Sequence, residues 1–212
     1  MGLYLPDRRV LERTGDLDYY HWNYQFPIKY IQRFRFKAIL ELMGNQYYDK
    51  LLEAGTGSGI FLPELDRHCH QLYACDIHNN MQAVEKLCQL TAIKAELRQC
   101  PIEATGFPDN MFDAIIAFSV LEFVDDLERS INEIRRILKP GGVFLTICPQ
   151  QSALLDFVLN FYMRRNPDDE FGKSRSRVSK TLEAQFNVID KRIFPPIIGS
   201  IFPVYNYYKL ST

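Results

Sequence analysis

No uninterrupted apolar stretch in this 212-residue chain approaches the roughly 18 residues that a membrane-crossing helix requires. The greasiest run, 193–205, is broken by Pro195, Pro196, Gly199 and Pro203. The amino terminus has no apolar core, because Pro6, Asp7, Arg8 and Arg9 arrive at once, which argues against a secretory signal. Five cysteines make an odd set with no C-x-x-C pair, so the expectation is reduced thiols in the cytoplasm rather than a disulfide framework. An excess of either charge is also missing. The 25 basic and 26 acidic residues leave a net charge of −1 and no footprint for general nucleic-acid binding. Repeats and low-complexity segments are absent. A chain of this length buries enough surface to need no staples, and it predicts one globular domain, monomeric or homodimeric.

Aromatic residues are plentiful and unevenly placed. Eleven of the 28 lie in the first 50 residues, including Tyr19, Tyr20, Trp22, Tyr24 and Phe26. From Ile28 onward, Ile28, Ile31, Phe34, Ala38 and Leu42 step by three and four, which predicts a helix stopped at Gly44-Asn45. Beyond it, compact apolar runs at 50–54, 71–76, 95–100, 112–118 and 142–148 alternate with amphipathic stretches at 79–90 and 126–138. Continuous apolar strands between helices predict a parallel sheet covered on both faces. A helix at 152–163, a charged stretch at 164–180 and two strands at 186–194 and 204–210 complete the chain. Residues 1–49 thus form an aromatic helical lid, 50–148 a core and 149–212 a substrate-side part of the same domain.

The core opens with Glu53-Ala54-Gly55-Thr56-Gly57-Ser58-Gly59, a strand entering a glycine-rich turn ahead of an expected helix. Such a turn lets backbone approach a ligand, and a helix N-terminus offers N–H groups to a carboxylate or phosphate. It is also a common structural turn. Asp76 lies at the end of the next strand, 21 residues past Gly55, where an acid can accept both hydroxyls of an adenosine ribose. Capping the following helix is its alternative role.

The motif Glu53-x-Gly55-x-Gly57-x-Gly59 resembles motif I of the class I, Rossmann-like S-adenosylmethionine-dependent methyltransferases. Three further segments resemble the same family in the same order: Phe107-Pro108-Asp109 through Ile116, Ser119-Val120-Leu121-Glu122-Phe123-Val124, and Leu138-Lys139-Pro140-Gly141-Gly142. The resemblance covers about residues 50–148. It implies an open, doubly wound, mostly parallel seven-stranded α/β sheet with an antiparallel last strand, and S-adenosyl-L-methionine as cofactor with S-adenosyl-L-homocysteine as product.

Carried over residue by residue, the resemblance implies that Glu53, Gly55, Thr56, Gly57 and Gly59 cradle the methionine portion. It implies Asp76 on the ribose, Ile77 on the adenine, and the carbonyls of Ala117 and Phe118 at the methionine amino group. The family's usual Gly-Asp-Ala after the third strand is here Cys100-Pro101-Ile102, so the acid is missing. Ile102 offers an N–H and an apolar wall, and Glu103 is a substitute acid.

Methyl transfer from a sulfonium is an in-line displacement that needs alignment and dryness more than a fixed triad. Candidate bases are His21, Tyr19, Tyr20, Tyr24 and Glu122, whose alternative roles are packing rings and, for Glu122, a solvated residue. The adenine-N6, cytosine-C5 and metal-dependent signatures of the family's relatives are absent, which leaves O, N or C of a small-molecule acceptor, with no metal. Tyr20 and Trp22 in the lid, and Arg175 and Arg177 in a basic cover over 164–180, are candidate substrate contacts. Asp125-x-x-Glu128 is expected as a capping box, and His68-Cys69-His70 as a loop edge. Two other functions remain: a non-catalytic cofactor-binding partner protein, and a nicotinamide-dependent oxidoreductase, which the glycine spacing disfavours.

Overall fold

Strand side chains alternate between the two faces of a sheet, so a strand buried on both sides must feed two cores. The computed structural model describes residues 2–150, 174–195 and 204–212. Strands β1 (Tyr48–Ala54), β2 (Cys69–Asp76), β3 (Ala95–Gln99), β4 (Phe112–Phe118), β5 (Leu138–Pro149), β6 (Asn187–Phe194) and β7 (Tyr205–Ser211) form one sheet in the order β3-β2-β1-β4-β5-β7-β6. The first five pair in parallel, and β7 is antiparallel to both β5 and β6. This is the open α/β sheet that the alternating pattern and the resemblance imply.

Leu51, Ala114, Ile116 and Leu145 face one side, where Phe36, Ile39 and Leu42 of α1 (Lys29–Met43) and Val84 and Leu87 of α3 (Met81–Thr91) cover them. Leu52, Ile115, Ala117 and Phe144 face the other, against Leu127, Ile131 and Ile134 of α4 (Leu127–Ile137) and Val178 and Leu182 of α5 (Ser174–Gln185). Each fully buried aliphatic side chain contributes about 1.5–3 kcal/mol to this packing. The chain leaves β1 toward β2 and β3 on one side and returns through β4 and β5 on the other. Two diverging loops therefore leave a crevice at the carboxyl ends of β1 and β4.

Several local expectations change. Only 29–43 of the aromatic N-terminal block is α-helical; ahead of it lie two 3-10 turns, Arg8–Val10 and Tyr20–Asn23, and irregular backbone. In α1 the buried residues include Gln32, Arg35 and Ile39, while Phe34 faces outward and meets the Phe194 ring, centroids 4.3 Å apart. The glycine turn is followed by a single helical turn, α2 (Leu62–Leu65), so no long helix dipole points at it. The cap of α4 is Asp126, whose Oδ1 accepts from Arg129 N at 3.0 Å, rather than Asp125. The helix begins one residue later than the capping-box spacing assumes. Asp76 does not cap α3, since Asn80 occupies that position. The expected helix at 152–163, the basic stretch at 164–173 and the linker at 196–203 lie outside the described residues. No helix among the described residues is long and apolar enough to cross a membrane.

Candidate active site

The crevice between the β1 and β4 turns is a cavity of about 800 Å³, within the range of cofactor and substrate pockets. Three glycines shape the turn on one side of it, for different reasons. Gly55 has φ +79°, and a Cβ there would lie 2.2 Å from a Val120 methyl, so the β1 turn and the turn after β4 touch only because Gly55 has no side chain. Gly57, at φ +52°, faces the cavity with nothing nearer its missing Cβ than Asp18 at 3.8 Å. Gly59 packs against Val84 and Leu87 of α3, away from the cavity.

Asp76 fastens this turn to the end of β2. Its Oδ2 accepts from Gly57 N at 2.8 Å and its Oδ1 from His78 N at 3.3 Å. His78 Nδ1 accepts from Asn80 N at 3.2 Å, so in the neutral ring the proton sits on Nε2, which donates to Gly57 O at 3.0 Å. Beneath the loop, Glu53 is 3% exposed and its Oε2 accepts from Thr56 Oγ1 at 2.7 Å. Burial pushes its carboxyl up to about 8, and the neighbouring Asp76 charge pushes the same way. Ile77, exposed at the rim, together with Pro101, Ile102 and Glu103, lines the β2–β3 side of the cavity.

The opposite side is built by α1, the end of β4 and the start of β7. Arg35, 8% exposed, donates from Nη1 to Gln32 Oε1 at 2.7 Å and from Nη2 to Ser119 Oγ. Its guanidinium carbon lies 4.7 Å from the centroids of both the Phe118 and Tyr205 rings. Ser119 adopts φ +57°, a conformation rare for a residue with a Cβ, directly after β4. Glu122, 5% exposed, also lines the cavity. Burial pushes its carboxyl up to about 7, against the opposing pull of Arg35 and Arg175. The N-terminal segment closes over the glycine turn. Asp18 holds it by accepting from Thr14 N and Tyr20 N, each at 3.1 Å, and the Tyr19 ring stacks on Trp22 at 4.5 Å.

Most of the residues that the sequence singles out therefore meet in one space: Glu53, Gly55, Thr56, Gly57, Asp76, Ile77, Ile102, Glu103, Phe118, Tyr19, Tyr20, Trp22 and Glu122 line it. Six do not. Gly59 serves α3 packing, and Ala117 O is taken by Thr146 Oγ1 at 2.8 Å within the sheet. Tyr24 turns away from the cavity and donates its hydroxyl to Pro6 O at 2.5 Å. His21 packs edge-on to Tyr19 and Trp22 outside the lining. Arg175 is fully buried in α5, with Nη1 donating to Gln150 O at 3.4 Å, and Arg177 is exposed on the same helix. His68 and His70 lie apart from the cavity, against Glu64 and Tyr47.

Sequence reasoning missed Gln32, Arg35, Ser119 and Asp18. One signal was present: Arg35 stands four residues from both Ile31 and Ile39, a cation in phase with an apolar stripe.

Residues 52–146 match the family model described as a methyltransferase domain. The ubiquinone/menaquinone biosynthesis C-methyltransferase UbiE of Pasteurella multocida (strain Pm70) is 32% identical over 121 residues, which cover 53% of this chain and 45% of that protein. The chain thus spans less than half the length of this curated relative. Among solved structures, the PH0226 protein from Pyrococcus horikoshii OT3 superposes with a TM-score of 0.70 at 16% identity, covering 93% of this chain and 99% of that one. The N-methyltransferase NodS from Bradyrhizobium japonicum WM9, in complex with S-adenosyl-L-homocysteine, gives 0.63 at 17% identity over 85% of this chain and 87% of its own. The strand order and the family match agree: residues 52–146 form a methyltransferase domain, on the fold that these solved structures share.

Proposed function

We propose that the chain is a methyltransferase that moves the methyl group of S-adenosyl-L-methionine to an O, N or C atom of a small-molecule acceptor in the cytoplasm, working as a single domain, monomeric or homodimeric. The observation that carries this reading is the shared cavity: Gly57, Asp76 and Glu53 on one side, Arg35 and Glu122 on the other, under one aromatic cover. When bound, the cofactor supplies a methyl group already activated by a sulfonium. Asp76 holds the ribose hydroxyls through the carboxylate that also fixes the loop. Ile77 and Ile102 hold the adenine between apolar surfaces, which serve in place of the missing acid. Tyr19, Tyr20 and Trp22 exclude water and align the acceptor.

Glu122 is the group placed to take a proton from an acceptor hydroxyl or ammonium. Its carboxyl faces the charges of Arg35 and Arg175 and the thiol of Cys148, and ionises near neutrality. With an acceptor in hand, kcat is expected to rise with pH through about 7. Glu122→Gln is expected to flatten that rise and lower kcat by about 10²–10⁴-fold, the usual contribution of general base catalysis. A pH profile unchanged in the variant removes Glu122 from this role.

Thermal shift tests the donor side. S-adenosylhomocysteine at 100 times its dissociation constant is expected to add about 2.7 kcal/mol of stability, whereas NAD adds none. Asp76→Ala is expected to lose that shift. An undiminished shift in the variant contradicts the ribose contact, and a shift with NAD instead restores the oxidoreductase reading. Pro101 in place of the usual donor residue favours a second reading, a cofactor-binding protein without catalysis. Labelled methyl transfer into fractionated metabolites separates the two, because the second reading yields no labelled product.

A further inference from the structure

The outer face of α1 carries a row of exposed rings. Phe26, just ahead of the helix, is 77% exposed, Tyr30 60% and Phe34 37%. Lys29 N donates to Gln25 O at 2.8 Å, so the helical spacing already holds at Phe26, and steps of four residues bring the three rings onto one stripe. Phe26 and Tyr30 meet edge to face at 6.2 Å, and Phe34 continues the row onto the Phe194 ring. The opposite face of the helix is spent on the core, through Phe36, Ile39 and Leu42. Single exposed rings are ordinary on a protein surface, but a contiguous row marks an interaction site.

Cations border the row. Arg33 and Lys37 are exposed on the same face, and Lys29 holds its Nζ 5.3 Å from the centroid of the Tyr30 ring. Residues 19–40 contain no aspartate or glutamate. Among the described residues no carboxylate pairs with these three cations, and Glu41, further along the face, is held by Arg192 at 3.1 Å. A surface that mixes bare rings with unpaired cations fits the interface of an anionic bilayer, where aromatic rings sit at headgroup depth and lipid phosphates meet the cations. A second copy of the chain fits it poorly, because in a two-fold contact both copies bring the same cations and no free acid.

We infer that this face of α1 is a docking surface for an anionic lipid bilayer, with Phe26 and Tyr30 entering the headgroup layer and Lys29, Arg33 and Lys37 meeting lipid phosphates. The contact is peripheral, since no helix among the described residues is long and apolar enough to cross a membrane. The inference goes beyond the methyltransferase reading and does not depend on it. Its consequence for the site is position. Trp22 and Asn23, just ahead of the patch, and Gln32 on the same helix line the cavity, so the docked chain holds its cavity beside the bilayer.

Co-sedimentation of the full chain with lipid vesicles tests this. Vesicles of phosphatidylcholine with about one third phosphatidylglycerol are expected to bind at least about ten-fold more tightly than phosphatidylcholine alone, and raising salt from about 0.1 M to about 0.5 M to remove most of that preference. Arg33→Gln combined with Lys37→Gln is expected to weaken binding to the anionic vesicles by at least about ten-fold, at about five-fold per cation. Phe26→Ala combined with Tyr30→Ala is expected to weaken it by about ten-fold through lost ring burial. All four side chains are exposed, so each double variant should melt within about 2 °C of the wild-type chain.

Absence of binding to the anionic vesicles by the wild-type chain overturns the inference, and so does equal binding to the two vesicle types; neither comparison needs a variant to fold. Anionic binding that both double variants retain in full places the contact elsewhere on the chain and overturns it too. Self-association of the wild-type chain in sedimentation velocity, abolished by Phe26→Ala with Tyr30→Ala, assigns the face to a second copy instead of a bilayer. None of these outcomes depends on S-adenosylhomocysteine, so the donor reading stands or falls on its own thermal shift.

Discussion

Glu53→Gln is expected to stabilise the protein at pH 8 and above, with little effect near pH 5. In the folded chain burial holds the Glu53 proton until about pH 8, whereas its ordinary value is 4.5. Between those values the folded state binds more protons than the unfolded state, so stability falls as pH rises from about 4.5 to about 8. At about 1.4 kcal/mol per unit, the wild-type chain gives up on the order of 4 kcal/mol across that window. Gln keeps an oxygen to accept from Thr56 and has no charge to bury. The expected gain at pH 8 is roughly 10 °C in Tm for a chain of this size. Glu122, pushed up to about 7, leaves a smaller slope of the same sign in the variant.

The same substitution should weaken the cofactor. An ionised Glu53 under the glycine turn is tolerable only beside a cation, and S-adenosylmethionine carries an ammonium and a sulfonium. Binding should therefore release a proton between about pH 5 and 8, visible as a dependence of binding heat on the ionisation enthalpy of the buffer, and Glu53→Gln should abolish that release. If the melting curves of variant and wild type run parallel from pH 5 to 8.5, Glu53 does not hold its proton and the argument fails.

Gly55→Ala is the second large effect, and it should destabilise at every pH. The left-handed backbone at φ +79° costs a residue with a Cβ about 1–2 kcal/mol. The new methyl would meet Val120 Cγ2 at 2.2 Å, and overpacking of this kind costs about 1–3 kcal/mol more. Together they amount to a fall of roughly 10 °C in Tm and a displaced cofactor loop. Val120→Ala in the same chain removes both methyl groups and leaves only its Cβ, 3.1 Å from the new atom. It should recover about 1–2 kcal/mol of the loss, a positive coupling in a double-mutant cycle. Additive effects would show that the two turns are not in contact as described.

The sheet was legible because a strand buried on both faces writes itself as a continuous apolar run. The stretch 112–118, for instance, is β4 to the residue. The glycine turn was legible for a related reason: a sharp turn at positive φ demands glycine, and Asp76 at the end of the next strand accepts from its Gly57 N. Glu53, Gly57 and Asp76 are close in sequence to the strand ends that aim them. The residues that lie away from the cavity are those whose aim depends on a distant element. Tyr24 and His21 share the aromatic block with Tyr20 and Trp22, yet only the latter pair faces the cavity, because the 3-10 turn 20–23 sets which rings point inward. Ala117 O accepts from Thr146 Oγ1, a neighbour only across β4 and β5.

What the sequence determined by itself is the fold class, the order of its core elements and the glycine turn with Asp76 beside it, since each follows from local periodicity and short spacings. What only the tertiary structure decided is the opposite wall of the cavity. Arg35 on α1, Ser119 and Glu122 after β4, and Tyr205 on β7 are spread over 171 positions of the chain. No spacing rule links them, because it is the packing of α1 against the β4 and β7 ends that brings a cation, a carboxylic acid and two rings into one space.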